Sequence, residues 1–221
     1  MNRMPGLAVR VFIAIGLVLL LFVLVYAPAF AIVASIKPPI RVVVPLIIII
    51  TSALACLYVW ILGRRSGDFQ EFGFRSCDSR YLVLAGSLAV PIGLLLTYID
   101  QRFTVSNQVG ATDFQPWLSV IYFVICASFQ EEVIFRGLLQ TTLTKRLSGS
   151  LRLPGNIVST PAIFIAVLFG VIHLKIGIFT AFSALVLGLL AGELRQRSGS
   201  LLPAVLTHAI FNAAALVWAL K

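Results

Sequence analysis

The chain has 221 residues, of which 60% are hydrophobic and 11% charged, and its mean hydropathy is +1.03. Soluble domains carry about twice that share of charged residues, so the composition excludes a water-soluble globular protein and predicts one embedded in a bilayer. The formal net charge of +9 does not indicate nucleic-acid binding, because the basic residues lie between apolar runs and do not cluster with aromatic residues.

Seven apolar runs are long enough, or nearly long enough, to cross the roughly 30 Å of hydrocarbon in a bilayer. They are residues 7–35, 41–62, 81–99, 117–144, 159–174, 176–194 and 201–220. The fifth run is short, and only Lys175 separates it from the sixth, so the count ranges from six to eight. Since no repeat or linker divides the chain, we expect one membrane-embedded domain over residues 1–221, an all-α polytopic helical bundle.

The basic residues predict how this bundle is oriented. With a cytoplasmic N-terminus, eleven of the 17 Lys and Arg residues fall in inner segments and five in outer ones. This bias favours a cytoplasmic N-terminus by the positive-inside rule. The first run, followed by Ala-Pro-Ala-Phe-Ala, also resembles a signal peptide. It is longer than a typical signal-peptide core, however, so we favour an uncleaved helix.

The fourth run contains three charges in the stretch FQEEVIFRG. A charge near the bilayer centre costs about 2.5–3.5 kcal/mol on insertion scales. On a helix, Glu132 and Arg136 are four residues apart and share a face, so they are predicted to form a supporting ion pair. Ser128 is placed to hydrogen-bond Glu132. Glu131 is rotated by about 100° and is left without that partner, which favours it as the working carboxylate.

Two later runs carry further polar residues. His173 ends the fifth run four residues after Phe169, and His208 and Asn212 are four residues apart in the last one. Taken singly, His173 is equally well an interfacial residue, and His208 with Asn212 an interhelical hydrogen-bonding pair. For straight helices with a rise of 1.5 Å per residue, Glu131, His173 and Asn212 lie about 18–21 Å from the inner ends of their spans. This common depth favours one shared site.

A carboxylate, two histidines and an asparagine at one level suit hydrolysis. Glu131 would act as general base on a water held with His173, while His208 and Asn212 would stabilise an oxyanion. No H-E-x-x-H or G-x-S-x-G motif is present. No cofactor is favoured, although zinc held by Glu131, His173 and His208 remains an alternative, since three protein ligands plus water form a catalytic zinc site.

Three motifs in order resemble the CPBP family, which includes type II CAAX prenyl endopeptidases and bacterial Abi-type immunity proteins. They are E-E-x-x-x-R from Glu131 to Arg136, F-x-x-x-H from Phe169 to His173, and H-x-x-x-N from His208 to Asn212. The resemblance covers residues 117–216. It implies an all-helical intramembrane endopeptidase with a cavity open to lipid and to the cytosolic side. By this resemblance, Glu131 and His173 would activate water, and His208 and Asn212 would form the oxyanion site. A glutamate-protease mechanism is favoured over a metalloprotease mechanism.

The resemblance implies a membrane-anchored peptide or protein substrate, prenylated or bacteriocin-like, and the short basic chain favours a bacterial plasma membrane. Two rival functions stay open. A non-catalytic immunity or partner-binding membrane protein would keep the same motifs. A proton-coupled transporter is disfavoured, because no internal repeat is visible and the polar groups converge at one level. The sequence does not indicate an oligomeric state.

Overall fold

A computed structural model describes residues 7–103, 116–147 and 158–219. These residues form a short 3-10 turn, Gln70–Phe72, and seven helices, with no strand among them. The helices are α1 (Leu7–Ile36), α2 (Ile40–Ser66), α3 (Ser79–Phe103), α4 (116–147), α5 (Thr160–His173), α6 (Ile178–Ser198) and α7 (Leu202–Ala219). The all-helical bundle predicted from the apolar runs is confirmed, and each predicted run corresponds to one helix.

The bounds differ most at α3 and α6, by two residues at the start and four at the end of each. Helix α6 was predicted to span residues 176–194. It begins at Ile178, after Gly177 in an extended conformation, and continues to Ser198 before Gly199 ends it with φ of 69°. Glycine tolerates this left-handed conformation, so it can end a helix whose last turn is polar and carries no hydropathy signal.

Four helices are long and apolar enough to cross a membrane by length and composition: Ile15–Ile36, Leu46–Arg65, Ser79–Phe103 and Ile178–Ser198. Thr160–His173 and Leu202–Trp218 are shorter apolar helices. Large hydrophobic side chains face outward, including Phe12 at 80% exposure and Val83 at 70%. A surface of this kind suits hydrocarbon rather than water, as expected for an integral membrane protein.

Helix α4 is the centre of the bundle. Its residues contact α1 and α2, and they also contact α5, α6 and α7. Residues 132–141 are all buried, and the cluster of buried side chains includes Ile134, Phe135, Leu138 and Leu139. Since the charged stretch lies within this buried part of α4, its charges face protein neighbours instead of lipid, as intramembrane charges generally do.

The helix α1 also reaches the charged part of α4. The ring of Phe22 lies 6.1 Å from that of Phe135, and residues of α1 also contact the last two turns of α4, Thr141–Leu147. The first helix, which also resembles a signal peptide, is therefore packed against the helix that carries the predicted site.

Helices α5 and α6 approach each other closely through small residues. An ideal Cβ on Gly188 would lie 2.8 Å from Ala166 Cα and 2.9 Å from Ala166 Cβ. Gly188 is therefore needed as glycine so that the two backbones can meet, a common device of helix packing in membranes.

Basic residues gather at one end of the bundle, where α2, α4 and α6 all terminate. Arg64 and Arg65 are in the last turn of α2, Lys145 is in the last turn of α4, and Arg195 and Arg197 are in the last turn of α6. At the opposite end, α3 finishes at Phe103 and α5 at His173. With a cytoplasmic N-terminus, the basic end would be the inner one.

Candidate active site

The charged stretch of α4 is built around a buried ion pair. Arg136 Nη1 donates to Glu132 Oε1 at 2.9 Å, and both side chains are fully buried. Arg136 Nη2 donates to the Gly188 carbonyl at 3.2 Å, and the guanidinium lies 4.9 Å from the centre of the Phe169 ring. The structure thus brings together the two residues predicted to pair, and it ties them to α5 and α6.

His208 of α7 lies between the two adjacent carboxylates. Its Nδ1 is 2.8 Å from Glu132 Oε1, and its Nε2 is 3.9 Å from Glu131 Oε2. A carboxylate accepts hydrogen bonds, so Nδ1 carries the proton in the contact with Glu132 and Nε2 faces Glu131. Glu132 therefore orients His208 as well as pairing with Arg136, a second role that the spacing within α4 could not show.

Glu131 has a different environment from its neighbour. Its side chain is 23% exposed, whereas that of Glu132 is fully buried. Within the part of the chain that the structure describes, Oε2 of each glutamate is a buried atom without a hydrogen-bond partner, whereas Oε1 of Glu132 contacts both Arg136 and His208. Only one of the two adjacent carboxylates is thus committed to an arginine. The assignment of Glu131 as the general base remains a prediction.

His173, at the end of α5, has one nitrogen committed and one available. Its Nδ1 donates to the Phe169 carbonyl at 2.7 Å, and its ring packs 4.6 Å from the Phe169 ring. In a neutral imidazole whose Nδ1 is a donor, Nε2 is an acceptor and is able to receive a hydrogen bond from water.

Asn212 joins α7 to α4. Its side-chain nitrogen donates to the Phe123 carbonyl at 2.8 Å and to Ser128 Oγ at 3.0 Å. Both of its N–H groups are thus used inside the protein, so donation to an oxyanion would require one of these bonds to break. The partner seen for the Ser128 hydroxyl is Asn212, whereas the helical spacing predicted Glu132.

One cavity of about 130 Å³ connects three of the predicted site residues. His173, His208 and Asn212 line it, and Phe169, Asp100 and Thr180 also contribute to its wall. Glu131 is not part of this wall but lies behind His208, at the 3.9 Å distance given above. At roughly 30 Å³ per water molecule, the cavity holds a few waters or one peptide group.

Asp100 of α3 is a site residue that sequence reasoning missed. It is 8% exposed, and the Thr180 hydroxyl of α6 lies 3.2 and 3.3 Å from its two carboxylate oxygens. The apolar run was taken to end at residue 99, so Asp100 was assigned to an outer segment. An acid directly after an apolar run was the available signal.

The backbone of α4 is unusual on both sides of the glutamates. Val120–Ala127 and Val133–Gln140 are π-helical, and Ser128–Glu132 between them is α-helical. Such segments are rare and frequently occur at functional sites, because the wider turn changes the direction of the following side chains. No sequence pattern indicated them, and the depth estimate above had assumed a regular rise throughout.

The predicted alternative of a zinc ion held by Glu131, His173 and His208 depends on whether these side chains lie close together. Among the described residues, no group of three or more His, Cys, Asp or Glu side chains is arranged to hold a metal ion. Glu131, His173 and His208 therefore do not form a ligand set in this structure. Nδ1 of each histidine contacts a protein oxygen, so Nε2 is the nitrogen of each ring that could bind water or a metal.

Comparison with known protein families identifies the part of the chain that contains the site. Residues 113–214 match the family model described as type II CAAX prenyl endopeptidase, Rce1-like. No curated protein and no solved structure matches the chain. The match covers α4 to α7 with all three motifs, and it confirms the resemblance to the CPBP family that these motifs indicated.

Proposed function

We propose that this chain, whose residues 113–214 match the model of the Rce1-like type II CAAX prenyl endopeptidase family, hydrolyses a peptide bond of a membrane-anchored substrate in the cavity beside His208. One observation carries the proposal. His208 bridges Glu132 and Glu131 at the wall of a cavity that His173 and Asn212 also line. Carboxylates and histidines able to exchange protons are thus grouped beside one cavity within a membrane-embedded helical bundle.

In the proposed reaction, Nε2 of His173 holds a water molecule in the cavity. Glu131 lies behind His208, so its carboxylate has to reach this water past the His208 ring. Glu131 takes one proton from the water as the oxygen attacks the scissile carbonyl. A tetrahedral intermediate forms, and its collapse breaks the C–N bond as the proton passes from Glu131 to the leaving amine. The products are a free carboxylate and a free amine.

His208 would stabilise the negative oxygen of that intermediate. Nδ1 donates to the buried Glu132 carboxylate, so a proton on Nε2 would supply the N–H donated to the oxyanion. Asn212 would contribute its side-chain amide after releasing Ser128 or Phe123. In its described contacts, the amide instead fixes the position of α7 relative to α4.

The substrate is proposed to be anchored by a lipid or by an apolar segment. An apolar groove of about 560 Å³ runs beside α5 and α6, and its wall includes Gly170, Val171 and Phe182. The groove wall also includes Ile99 and Phe179, the chain neighbours of Asp100 and Thr180 in the other cavity, so a chain lying in this groove would place its peptide portion near that cavity. The groove is suited to a prenyl chain or another apolar anchor.

The test is the cleavage of synthetic peptides by purified protein in detergent. A farnesylated peptide with a C-terminal C-a-a-X sequence should be cut after the cysteine, and mass spectrometry of both products would identify the bond. The same peptide without its lipid should be cut much more slowly. Absence of cleavage for every anchored peptide would instead favour a non-catalytic, partner-binding protein.

A second experiment, treatment with a chelator, tests whether the cleavage depends on a metal ion. Full activity after exhaustive treatment with a strong chelator is expected for a glutamate protease. Loss of activity that zinc restores would contradict that mechanism while leaving the proposed substrate class intact.

A further inference from the structure

A second cavity, of about 270 Å³, lies at the basic end of the bundle. Its wall includes Arg75, Gln140, Lys145 and Arg195, with Glu71 and Arg136. It shares no lining residue with the cavity that contains the two histidines. The proposed peptidase reaction makes no use of it.

The charge around this second cavity is positive. Arg75, Lys145 and Arg195 contribute three cations, and Glu71 contributes one carboxylate that contacts Lys145. Arg136 is a fourth cation, but it is paired with Glu132. Two positive charges thus remain for an anion.

Two of these arginines, Arg75 and Arg195, also make hydrogen bonds that hold the fold together. Arg75 Nε donates to the Gly199 carbonyl at 2.9 Å, and Arg195 Nη2 donates to the Glu71 carbonyl at 2.6 Å. These bonds attach the segment between α2 and α3 to the end of α6. They engage one nitrogen of each guanidinium, whereas a guanidinium carries five N–H donors, so attachment alone does not account for both arginines.

Buried polar atoms in the same wall are unsatisfied. Arg136, Gln140 and Arg195 are 0%, 2% and 9% exposed. Counting only partners within the described ranges, Arg136 Nε, Gln140 Oε1 and Arg195 Nε make no hydrogen bond. A buried donor without a partner costs about 1–3 kcal/mol. Two arginine N–H donors in one cationic cavity suit a ligand with several negatively charged oxygens.

We propose that this cavity binds the phosphodiester group of an anionic phospholipid. The cavity lies where α4 and α6 end, beside the last-turn residues Lys145 and Arg195, which is the level of the headgroups in a bilayer. Basic pockets between membrane helices on the cytoplasmic side are suited to such headgroups. A substrate peptide is a poorer occupant, since it would have to pass the fully buried Arg136 to reach the other cavity.

The test is native mass spectrometry of the full chain with phosphatidylglycerol and with phosphatidylcholine. The matched variants are the double substitution Arg75→Gln with Lys145→Gln, and Arg65→Gln as the control. Arg65 is exposed in the last turn of α2 and does not line the cavity. Circular dichroism would verify that every variant is folded. Arg195 is left unchanged because it is buried and bonded to the Glu71 carbonyl, whereas Arg75 is exposed.

The wild-type protein and the Arg65→Gln variant should retain phosphatidylglycerol in preference to phosphatidylcholine. The double variant should bind phosphatidylglycerol about thirtyfold more weakly, which follows from two basic contacts, and Arg65→Gln at most about fivefold more weakly. Inorganic phosphate added at millimolar concentration should compete.

Equal weakening by Arg65→Gln and by the double variant would overturn the proposal, as would equal binding of the two lipids. Retention of inorganic phosphate without phosphatidylglycerol would also overturn it, because the anion would then come from solution. Binding is measured without peptidase turnover, so failure here leaves the proposed reaction untouched, and the reverse holds as well.

Discussion

The adjacent residues Glu131 and Glu132 differ in function because their surroundings differ. Glu132 is fully buried, pairs with Arg136 and contacts His208 through Oε1, whereas the Glu131 side chain is 23% exposed and lies 3.9 Å from His208. The helical spacing predicted the pair with Arg136, since residues four apart share a face. The contact of Glu132 with His208 links positions 76 residues apart, which no local pattern could indicate.

The first residue-scale prediction concerns Arg136. Replacement of Arg136 by Met should lower the free energy of unfolding by about 3–5 kcal/mol, because it leaves the buried Glu132 without its arginine. Adding Glu132→Gln to this variant should restore part of the loss, since the uncompensated charge is then removed. Denaturant unfolding in detergent measures both variants, with Arg65→Met as the exposed control. A double variant less stable than Arg136→Met would contradict the ion pair as the main interaction.

A second prediction concerns the bond between Asn212 and Ser128. Each single change to Ala should destabilise the protein by about 1–3 kcal/mol, because a buried polar group loses its partner. The double variant should be less destabilised than the sum of the two single variants, since both remove the same bond. A double-mutant cycle on unfolding free energies checks this. Strict additivity would show that the 3.0 Å contact contributes nothing.

At the scale of elements, the helices were predicted well and the irregularities within them were not. Seven apolar runs gave seven helices, because a bilayer requires each spanning backbone to satisfy its own hydrogen bonds. The π-helical segments of α4 were missed, since hydropathy has no period that separates them from a regular helix. Asp100 was missed because the end of α3 was placed at the end of its apolar run.

The contact between α5 and α6 gives an element-scale prediction. Replacing Gly188 by Ala should destabilise the protein, because the added methyl group would lie 2.8 Å from the backbone of Ala166 and force the helices apart. The expected loss is about 1–3 kcal/mol, typical of overpacking. The Gly188 carbonyl also accepts from Arg136, so turnover should fall as well.

The matched control for Gly188 is Gly86→Ala in α3. An added Cβ at Gly86 meets nothing within 4 Å, so this variant should be as stable as the wild type or more stable, by up to about 1 kcal/mol from helix propensity. Thermal unfolding of both variants measures this difference in stability. Equal destabilisation by the two substitutions would contradict the close approach of α5 and α6.

At the scale of the whole molecule, two sequence-based expectations about orientation disagree. The distribution of Lys and Arg places the basic end in the cytoplasm, which puts the cavity near Asp100 and His173 in the other half of the membrane. The family resemblance implies a cavity that opens to the cytosol. The structure fixes only that the cavity and the basic end are opposite.

Labelling of introduced cysteines with a membrane-impermeant maleimide determines which end of the bundle faces the cytoplasm. In a background without the three native cysteines, Lys175→Cys and Ser76→Cys report the two ends, and both positions are exposed. With a cytoplasmic N-terminus, Lys175→Cys is labelled in intact cells and Ser76→Cys only after lysis. The reverse pattern would contradict the orientation predicted from charge and place the cavity near the cytosol.

The most direct test of the proposed function is the turnover of Glu131→Gln on an anchored fluorogenic peptide. Glu193→Gln is the matched control, because Glu193 contacts Arg197 and Ser159 away from the histidines. Loss of the general base should reduce turnover by about 10²–10⁴-fold, while Glu193→Gln keeps wild-type turnover and both variants stay folded. Full activity of Glu131→Gln would contradict the assignment of Glu131 as the residue that activates water.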